Sequence, residues 1–342
     1  MTNTIHKEDI LNIVKSLKKE SRKISKKKIL LIGYNGFLGK YFTEVFFHLS
    51  KKLTFELDCC DNFISSKKNN KKRIDNFKYI NGDILKVNLK KKYDLIICLA
   101  GIASPALYKK FPLETLDVSY LGVKRLLNKA QKDNSEFVFF SSSEIYGNPD
   151  IKNIPTNEKF YGFVNSFGPR SCYDEGKRIG ETLCYIYKTY FNVKIKIIRP
   201  FNVFGPLMAK NDFRIIPNII QKISNNQQIL VHGKGTQTRT FCYISDAITG
   251  FFKIILNGKT GEIYNVGNPY NEINIIKLVK IFDQITGKKN KFKKISYPEN
   301  YPGDEPLRRC PNINKAIKDT GFKPLISVKK GIRRILEFNN IT

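Results

Sequence analysis

A glycine-rich turn between an apolar segment and a helical segment constrains the fold of this chain more than any other feature. The segment Lys28–Ile32 has the composition of a short buried strand and runs into Gly33-Tyr34-Asn35-Gly36-Phe37-Leu38-Gly39. Residues 40–49 follow with helical character. Glycines let the backbone approach a ligand closely, and a helix N-terminus offers N–H groups and a positive dipole. This order predicts a dinucleotide-binding site rather than a chance glycine turn.

An acidic residue after the next predicted strand, at residues 53–60, favours NAD over NADP. Asp61 begins a turn, where its carboxylate can accept hydrogen bonds from both hydroxyls of the adenosine ribose and would repel a 2′-phosphate. Asp58 competes for this role, but Asp61 is preferred because it follows the apolar strand. Asp83 either receives the adenine amine or caps a turn. The candidate cofactor-binding residues are Gly33, Gly36, Phe37, Leu38, Gly39, Asp61, Asn62, Asp83, Ile84, Leu99, Ala100 and Gly101, with Tyr173 and Lys177.

Strands alternate with helices up to about residue 202, which predicts a parallel sheet with helices on both faces. Further strands are expected at 77–80, 93–99, 137–140 and 193–198, and helices at 113–131 and 173–190. Ligands bind at the carboxyl ends of the strands of such sheets. The residues that fall at those ends are Gly33, Asp61, Ala100, Ser142 and Asn202. The expected fold class is α/β, a Rossmann-type doubly wound parallel sheet with a smaller C-terminal α/β substrate domain.

Residues 1–27 form an extension before the first strand. Apolar residues recur at roughly helical spacing over residues 6–19, and a basic run follows. We expect a short amphipathic helix that packs on the main body; a free basic arm is the alternative.

Tyr173 and Lys177 form the candidate catalytic pair. Residues four apart lie on one face of a helix. A lysine ammonium close to a phenol favours the phenolate and lowers a pKa that starts at about 10. A phenolate can take a proton from a sugar hydroxyl. The spacing alone also fits a surface helix with a solvated lysine, but the glycine turn and the run Ser141-Ser142-Ser143 favour catalysis.

The net charge of +30 bears on the possible partners. A nucleic acid or an anionic membrane would fit such a charge. The lysines are spread through the whole chain, however, which indicates a lysine-biased surface, so we predict neither partner. A doubly negative nucleotide-linked substrate would also be attracted by this field.

Seven cysteines, no Cys-x-x-Cys pair and no Cys/His cluster indicate reduced thiols and no metal site. The chain has no apolar run long enough to span a bilayer, and its Lys-rich N-terminus lacks an apolar signal region. We therefore expect a cytoplasmic protein.

Together these residues resemble the extended short-chain dehydrogenase/reductases, the NAD-dependent group of nucleotide-sugar epimerases, dehydratases and decarboxylases. The resemblance covers about residues 28–338. It rests on the glycine turn, Ser142, Tyr173 with Lys177, Arg199-Pro200-Phe201-Asn202, Gly235-Thr236-Gln237-Thr238-Arg239 and Tyr243-Ile244-Ser245-Asp246. Within the group, three segments are similar to the UDP-glucuronate decarboxylases, the UDP-xylose synthase type. They are Gly168-Pro169-Arg170-Ser171-Cys172-Tyr173-Asp174-Glu175-Gly176-Lys177-Arg178, Asn202-Val203-Phe204-Gly205-Pro206, and Arg309 before Pro311-Asn312-Ile313.

The resemblance implies an NAD-dependent carboxy-lyase that converts UDP-glucuronate to UDP-xylose through a 4-keto intermediate. Lys177 and Ser142 would hold Tyr173, which takes the proton of the sugar 4-hydroxyl. Glu144 and Arg309 would act at the C5 end of the sugar. The substrate-binding residues implied are Tyr108, Asn202, Arg214, Gln237, Arg239 and Arg309.

The resemblance also implies a homodimer and a division into domains. Residues 28–202 and 239–268 would form the NAD-binding domain, and residues 203–238 and 269–338 the nucleotide-sugar-binding domain.

Other reactions of the group stay open. The 4,6-dehydratases carry Thr-Asp-Glu where this chain has Ser142-Ser143-Glu144, which argues against dehydration. A 4-epimerase or another 4-keto-forming enzyme is the main alternative, since Leu113-Glu114-Thr115-Leu116-Asp117 carries acids where the decarboxylases would have lysines. A non-catalytic NAD- or nucleic-acid-binding protein of the same fold is the distant alternative.

Overall fold

The computed structural model of the protein describes residues 4–67, 75–209, 212, 214–288, 292–296 and 307–341. The strands are β1 Lys28–Ile32, β2 Glu56–Asp61, β3 Phe77–Asn81, β4 Leu95–Cys98, β5 Glu136–Phe140, β6 Lys194–Pro200, β7 Val203–Phe204, β8 Ile229–His232, β9 Thr238–Thr240, β10 Cys242–Tyr243, β11 Ile263–Val266, β12 Glu272–Asn274, β13 Phe292–Ile295 and β14 Arg308–Arg309. The α-helices are α1 Thr4–Ser16, α2 Phe37–Ser50, α3 Pro105–Lys110, α4 Pro112–Asp117, α5 Val123–Asp133, α6 Ser171–Phe191, α7 Ile215–Ser224, α8 Ile244–Asn257, α9 Ile275–Thr286, α10 Asn314–Thr320 and α11 Val328–Phe338.

The main sheet has seven strands in the order β11-β6-β5-β4-β1-β2-β3, and all of its pairings are parallel. Its central strands are mostly apolar and buried because helices cover both faces, whereas the edge strand β3 is buried only at Phe77. Helices α2 and α8 contribute to the core on one face, and α5 and α6 to the core on the other. The predicted Rossmann-type doubly wound sheet is confirmed. The strand order reverses between β1 and β4, and a ligand crevice is expected at the carboxyl ends of these two strands.

The remaining short strands follow β6 in sequence. Strand β9 lies between β12 and β14, β8 pairs with β13, and β7 pairs with β10. Strand β14 therefore brings Arg309 beside Arg239 of β9. The division of the chain into two domains stays a prediction.

The predicted single helix over residues 113–131 is wrong in one respect. Between α4 and α5 the chain makes a π-helical turn at Val118–Gly122. Such a turn holds more residues than an α-helical one, and it is common near functional sites. Here it buries Ser119 against α6, close to Gly176.

The N-terminal extension packs on the main body, as the amphipathic pattern predicts. Ile10 and Ile13 of α1 are buried in the same core as α2, α8 and α11. Asp9 is also buried, and it accepts hydrogen bonds from the Tyr243 hydroxyl at 2.6 Å and from Arg334 at 2.9 Å. The extension therefore bridges α8 and α11 by both apolar and charged contacts. Among the described residues, no helix is long and apolar enough to cross a membrane.

Candidate active site

A cavity opens where β1 and β4 end, at the reversal of strand order. Its walls include nine of the candidate cofactor residues: Gly33, Gly36, Asp61, Asn62, Asp83, Ile84, Leu99, Ala100 and Gly101. The cavity is thus lined by the glycine turn, the loops after β2 and β3, and the segment after β4. These are the positions at which a doubly wound sheet binds a dinucleotide.

The glycines of the turn are required by close backbone approaches. Gly33 has φ +85°, and a Cβ there would come within 2.9 Å of the Ala100 nitrogen. A Cβ on Gly39 would lie 2.1 Å from the Gly33 carbonyl oxygen, so any side chain would push the helix off the turn. Phe37 and Leu38, also predicted as cofactor residues, are partly buried against the core in the first turn of α2. From Phe37, Leu38 and Gly39 we expect only backbone N–H contacts with a pyrophosphate.

Asp61, not Asp58, lies at the cavity. The Asp61 carboxylate accepts the backbone N–H groups of Asn35 at 2.9 Å and Phe63 at 2.7 Å. Asp58 is buried elsewhere, bonded to the Tyr93 hydroxyl at 2.8 Å and to Lys91 at 2.9 Å. The Asp61 carboxylate is therefore held at the end of β2, where the adenosine ribose of NAD would lie.

We expect Asp61→Ala to weaken NAD binding and to relax discrimination against NADP, because the carboxylate that repels a 2′-phosphate is lost. Asp61→Asn keeps the shape and an acceptor oxygen, so it separates loss of charge from damage to the turn. Calorimetric titration with both cofactors measures the effect. The matched control is Asp58→Asn, which should leave the NAD/NADP ratio unchanged. Tighter binding of NADP than of NAD by the unmodified protein would contradict the assignment.

Tyr173 lies in a buried pocket beside the carboxyl end of β5. Its ring stacks on that of Tyr108, with 5.7 Å between centroids and 14° between planes. Burial raises the pKa of Tyr173 to about 12, which the hydrogen bond with Ser142 only partly opposes. The negative charges of Glu144 and Asp174 raise this pKa further. At neutral pH the phenol is therefore protonated in this structure.

Lys177 is buried one turn further along α6. Its Nζ donates to the Phe140 carbonyl oxygen at 2.8 Å and lies 5.9 Å from the centre of the Tyr173 ring. The same nitrogen adjoins Gly101, which lines the cofactor cavity. Burial lowers the pKa of Lys177 to about 8. In this structure the pKa of Tyr173 is raised, because burial has the largest effect on it, and the Lys177 ammonium is bonded to the backbone. That Lys177 lowers the pKa of Tyr173 stays a prediction.

The buried ammonium should make Lys177→Met more heat-stable than the unmodified protein at pH 7. In the unfolded chain a lysine keeps its proton up to about pH 10.4, whereas in the folded protein Lys177 loses it at about pH 8. The stability of the unmodified protein therefore rises between these values, by up to roughly 3 kcal/mol. We expect the advantage of Lys177→Met to shrink over that range in thermal unfolding followed by circular dichroism. Lys124→Met, at an exposed position, is the control; a Lys177→Met advantage that is constant with pH would contradict the assignment.

Glu144 lies between two arginines. Arg309 donates with both terminal nitrogens, one at 2.8 Å from Glu144 Oε2, and Arg170 donates to the same oxygen. Burial alone would raise the pKa of Glu144, but the neighbouring arginine charges hold it below its usual value. Glu144 is therefore a fixed, ionised carboxylate. The predicted Glu144–Arg309 pair is brought together by the carboxyl end of β5 and by β14.

Arg170 and Asp174 are part of this cluster although sequence reasoning gave them no role. The Arg170 Nε donates to Asp174 Oδ2 at 3.2 Å, one turn along α6. Asp174 Oδ1 is buried without a hydrogen bond among the described residues. Burial, followed by the charge of Glu144, raises the pKa of Asp174 to about 6. In the sequence, the four-residue spacing of Arg170 and Asp174 beside Tyr173 could have indicated this ion pair.

The remaining candidate substrate residues lie on several different elements. Arg239, beside Arg309 in the sheet, adds its charge to the field at Glu144. Arg214 pairs with Asp212 at the start of α7, and its charge opposes the raised pKa of Tyr173. Asn202 follows β6 with φ +37°, and its side-chain nitrogen is buried without a partner among the described residues. Gln237 is half-buried just before β9.

The acids that replace the expected lysines lie on the cofactor side. Glu114 and Asp117 line the cavity together with Gly101 and Ile102. The cations nearest to Glu144 come instead from Arg170 and Arg309. Among the described residues, no group of three or more His, Cys, Asp or Glu could hold a metal ion.

Comparison with known proteins places these features in a family. Residues 29–267 match the NAD dependent epimerase/dehydratase family. The chain is 34% identical over 319 residues to UDP-glucuronic acid decarboxylase 1 of Xenopus tropicalis, covering 92% of this chain and 72% of that protein. It is 35% identical over 308 residues to UDP-glucuronic acid decarboxylase 3 of Arabidopsis thaliana, covering 89% and 86%.

Solved structures agree with this result. An epimerase from Methanothermobacter thermautotrophicus has a TM-score of 0.82 at 24% identity, covering 94% of both chains. The Bacillus cereus UDP-glucuronic acid 4-epimerase, in complex with UDP-glucuronic acid and NAD, has a TM-score of 0.75 at 25% identity, covering 92% of this chain and 98% of that one. Since the matches span most of the chain, and the sheet order and cavity suit a dinucleotide, this protein belongs to the NAD dependent epimerase/dehydratase family.

Proposed function

We propose that this enzyme decarboxylates UDP-glucuronate to UDP-xylose, with NAD as a cofactor that is regenerated in each turnover. The observation that carries the proposal is the ionised Glu144 between Arg170 and Arg309, beside Tyr173. A simple oxidation at C4 needs only the base and its partners. An arginine-rich site around a carboxylate suits a substrate that is itself a carboxylate.

The first step is oxidation at C4 of the sugar. Bound NAD supplies the acceptor for the C4 hydride and a positively charged nicotinamide ring. Tyr173 takes the proton of the 4-hydroxyl, and Ser142 holds the phenol oxygen by a hydrogen bond. Because the pKa of Tyr173 is about 12 in this structure, we expect the phenolate to form only when substrate and cofactor are both bound. Lys177 stays in place through its bond to the Phe140 carbonyl oxygen.

The second step is loss of carbon dioxide from the 4-keto sugar. The ketone is beta to the C5 carboxylate, so the electron pair of the breaking bond passes into an enolate between C5 and C4. The Arg309 and Arg170 cations stabilise negative charge in this region. A proton taken up from solvent then adds at C5, the hydride returns to C4, and Tyr173 gives the 4-hydroxyl proton back to the oxygen. Atoms and electrons balance without any external oxidant.

The arginines also explain how a carboxylate substrate can lie near Glu144. Two carboxylates close together repel each other, and each raises the pKa of the other unless a cation compensates. Arg309 is a planar two-pronged donor, which suits either a protein or a substrate carboxylate. Arg170 adds a second cation, which Asp174 offsets, and Arg239 adds a third. The three arginines exceed the two carboxylates by one charge, so the cluster can take up one more negative charge.

A 4-epimerase is the second candidate, because the structural relative from Bacillus cereus is a UDP-glucuronic acid 4-epimerase. The two reactions share the oxidation at C4 and differ in the fate of the 4-keto sugar. Incubation with a panel of UDP-, dTDP-, GDP- and CDP-sugars, read by mass spectrometry, tests the proposal. Loss of carbon dioxide supports it, whereas loss of water or unchanged mass indicates dehydration or epimerisation. The homodimer stays a prediction, which sedimentation can test.

A further inference from the structure

Asn35, inside the glycine turn, has a fully buried side chain that contacts a different loop. Its backbone N–H donates to Asp61 Oδ2 at 2.9 Å. Its side-chain nitrogen donates to Ser66 Oγ at 2.7 Å and to the Lys67 carbonyl oxygen at 2.9 Å. One residue therefore ties the turn after β1 to the end of β2 by one hydrogen bond and to the loop after β2 by two.

The first part of the loop after β2, residues 62–67, forms one wall of the cofactor cavity. Asn62, Ile64 and Ser65 line it directly. Phe63 has φ +60°, an unfavourable conformation for a bulky residue, so the loop needs contacts from outside to hold this shape. The Asp61 carboxylate holds the beginning of this segment through the Phe63 N–H at 2.7 Å, and Asn35 holds Ser66 and Lys67.

The orientation of the Asn35 amide is fixed by these partners. A carbonyl oxygen can only accept, so the Lys67 carbonyl requires the NH₂ group on that side. The Asn35 Oδ1 atom is then buried without a hydrogen bond among the described residues, which is unfavourable. The two hydrogen bonds to Ser66 and Lys67 offset this unfavourable burial. Alanine at this position would lose both of these bonds.

We propose that Asn35 is a positioning residue for the adenosine half of NAD, acting through the 62–67 loop. Asp61 at the start of this loop is the acceptor for the adenosine ribose, and the shape of the loop sets where that ribose can lie. Without these two bonds the loop must be ordered when the ligand binds, and we expect this cost to weaken binding about tenfold. The proposal depends on NAD as cofactor but not on the sugar reaction that the enzyme catalyses.

Calorimetric titration of the full chain with ADP-ribose tests the proposal without any turnover. We expect Asn35→Ala to bind ADP-ribose about tenfold more weakly, and Ser66→Ala about threefold more weakly. The double variant, Asn35→Ala with Ser66→Ala, should bind ADP-ribose about as weakly as Asn35→Ala alone, because both substitutions remove the same hydrogen bond. Asn35→Asp, which cannot donate to the Lys67 carbonyl, should not rescue binding.

Hydrogen–deuterium exchange separates positioning from general damage to the fold. In Asn35→Ala, faster exchange should be confined to residues 62–67, with the strands of the main sheet protected as before. Unchanged ADP-ribose affinity in Asn35→Ala would overturn the proposal, as would faster exchange throughout the sheet. If Asn35→Ala does not fold, the ADP-ribose affinity of Ser66→Ala, a change at a partly exposed position, is the test instead. Unchanged affinity in Ser66→Ala would also overturn the proposal.

Discussion

Tyr173→Phe is expected to lower turnover by about 10²–10⁴-fold or more, since a general base usually contributes a factor in this range. The substitution keeps the ring that stacks on Tyr108 and removes only the oxygen that accepts the proton. It also removes the hydrogen bond with Ser142, but burial of the ring is unaffected. Nucleotide-sugar conversion measured by chromatography at several pH values gives the result.

The control for this prediction is Tyr185→Phe, at an exposed position on the same helix. It should convert substrate at the normal rate. Affinity for NAD should stay within a few-fold in both variants. The cavity lining described above does not include Tyr173, which the sequence predicts as a cofactor contact, and Tyr185 is exposed. Near-normal turnover by Tyr173→Phe would remove this residue from the role of base.

Substitution of Glu144 should separate oxidation from decarboxylation. With UDP-glucuronate, Glu144→Ala should still reduce the bound cofactor, seen as absorbance of the reduced nicotinamide, while formation of the UDP-pentose falls by about 10²-fold or more. The reason is that Ser142, Tyr173 and Lys177 are sufficient for the 4-ketone, whereas the Glu144–Arg309 pair lies at the C5 end in our proposal.

Breaking a buried ion pair can also unfold a protein, at a cost of roughly 3–5 kcal/mol. Glu144→Gln keeps the size and one acceptor for Arg309, so it tests the charge with less damage. Arg309→Lys keeps the charge but loses the two-pronged geometry, and it should show the same imbalance between the two steps. Glu175→Ala, on α6 and paired with Arg178, is the matched control. A normal rate of UDP-xylose formation by Glu144→Ala would contradict the assignment.

The sequence predicts the main sheet well because its strands are buried on both faces and read as continuous apolar segments. The glycine turn and Asp61 are predictable partly because some of their contacts are local: Gly39 packs against the Gly33 carbonyl, and Asp61 accepts the Phe63 N–H. The π-helical turn at Val118–Gly122 could not be read, because it depends on packing against α6 rather than on local pattern.

Long-range contacts account for the rest of what the sequence did not show. Arg170 reaches Glu144 across 26 positions, and Asn35 reaches Ser66 across 31. The raised pKa of Tyr173 likewise results from burial by tertiary packing, whereas the Tyr-x-x-x-Lys spacing alone suggests a lowered one. Composition and spacing identify which titratable side chains are present, but the burial and the neighbouring charges that set their pKa values depend on the folded structure.

The most direct test of the central claim is incubation of the unmodified protein and catalytic NAD with UDP-glucuronate labelled at its carboxyl carbon. We expect labelled carbon dioxide and an unlabelled UDP-pentose in equal amounts, without net consumption of NAD. Full retention of the label in a UDP-hexuronate of unchanged mass, or no conversion of UDP-glucuronate while a neutral nucleotide sugar is converted, would contradict the account.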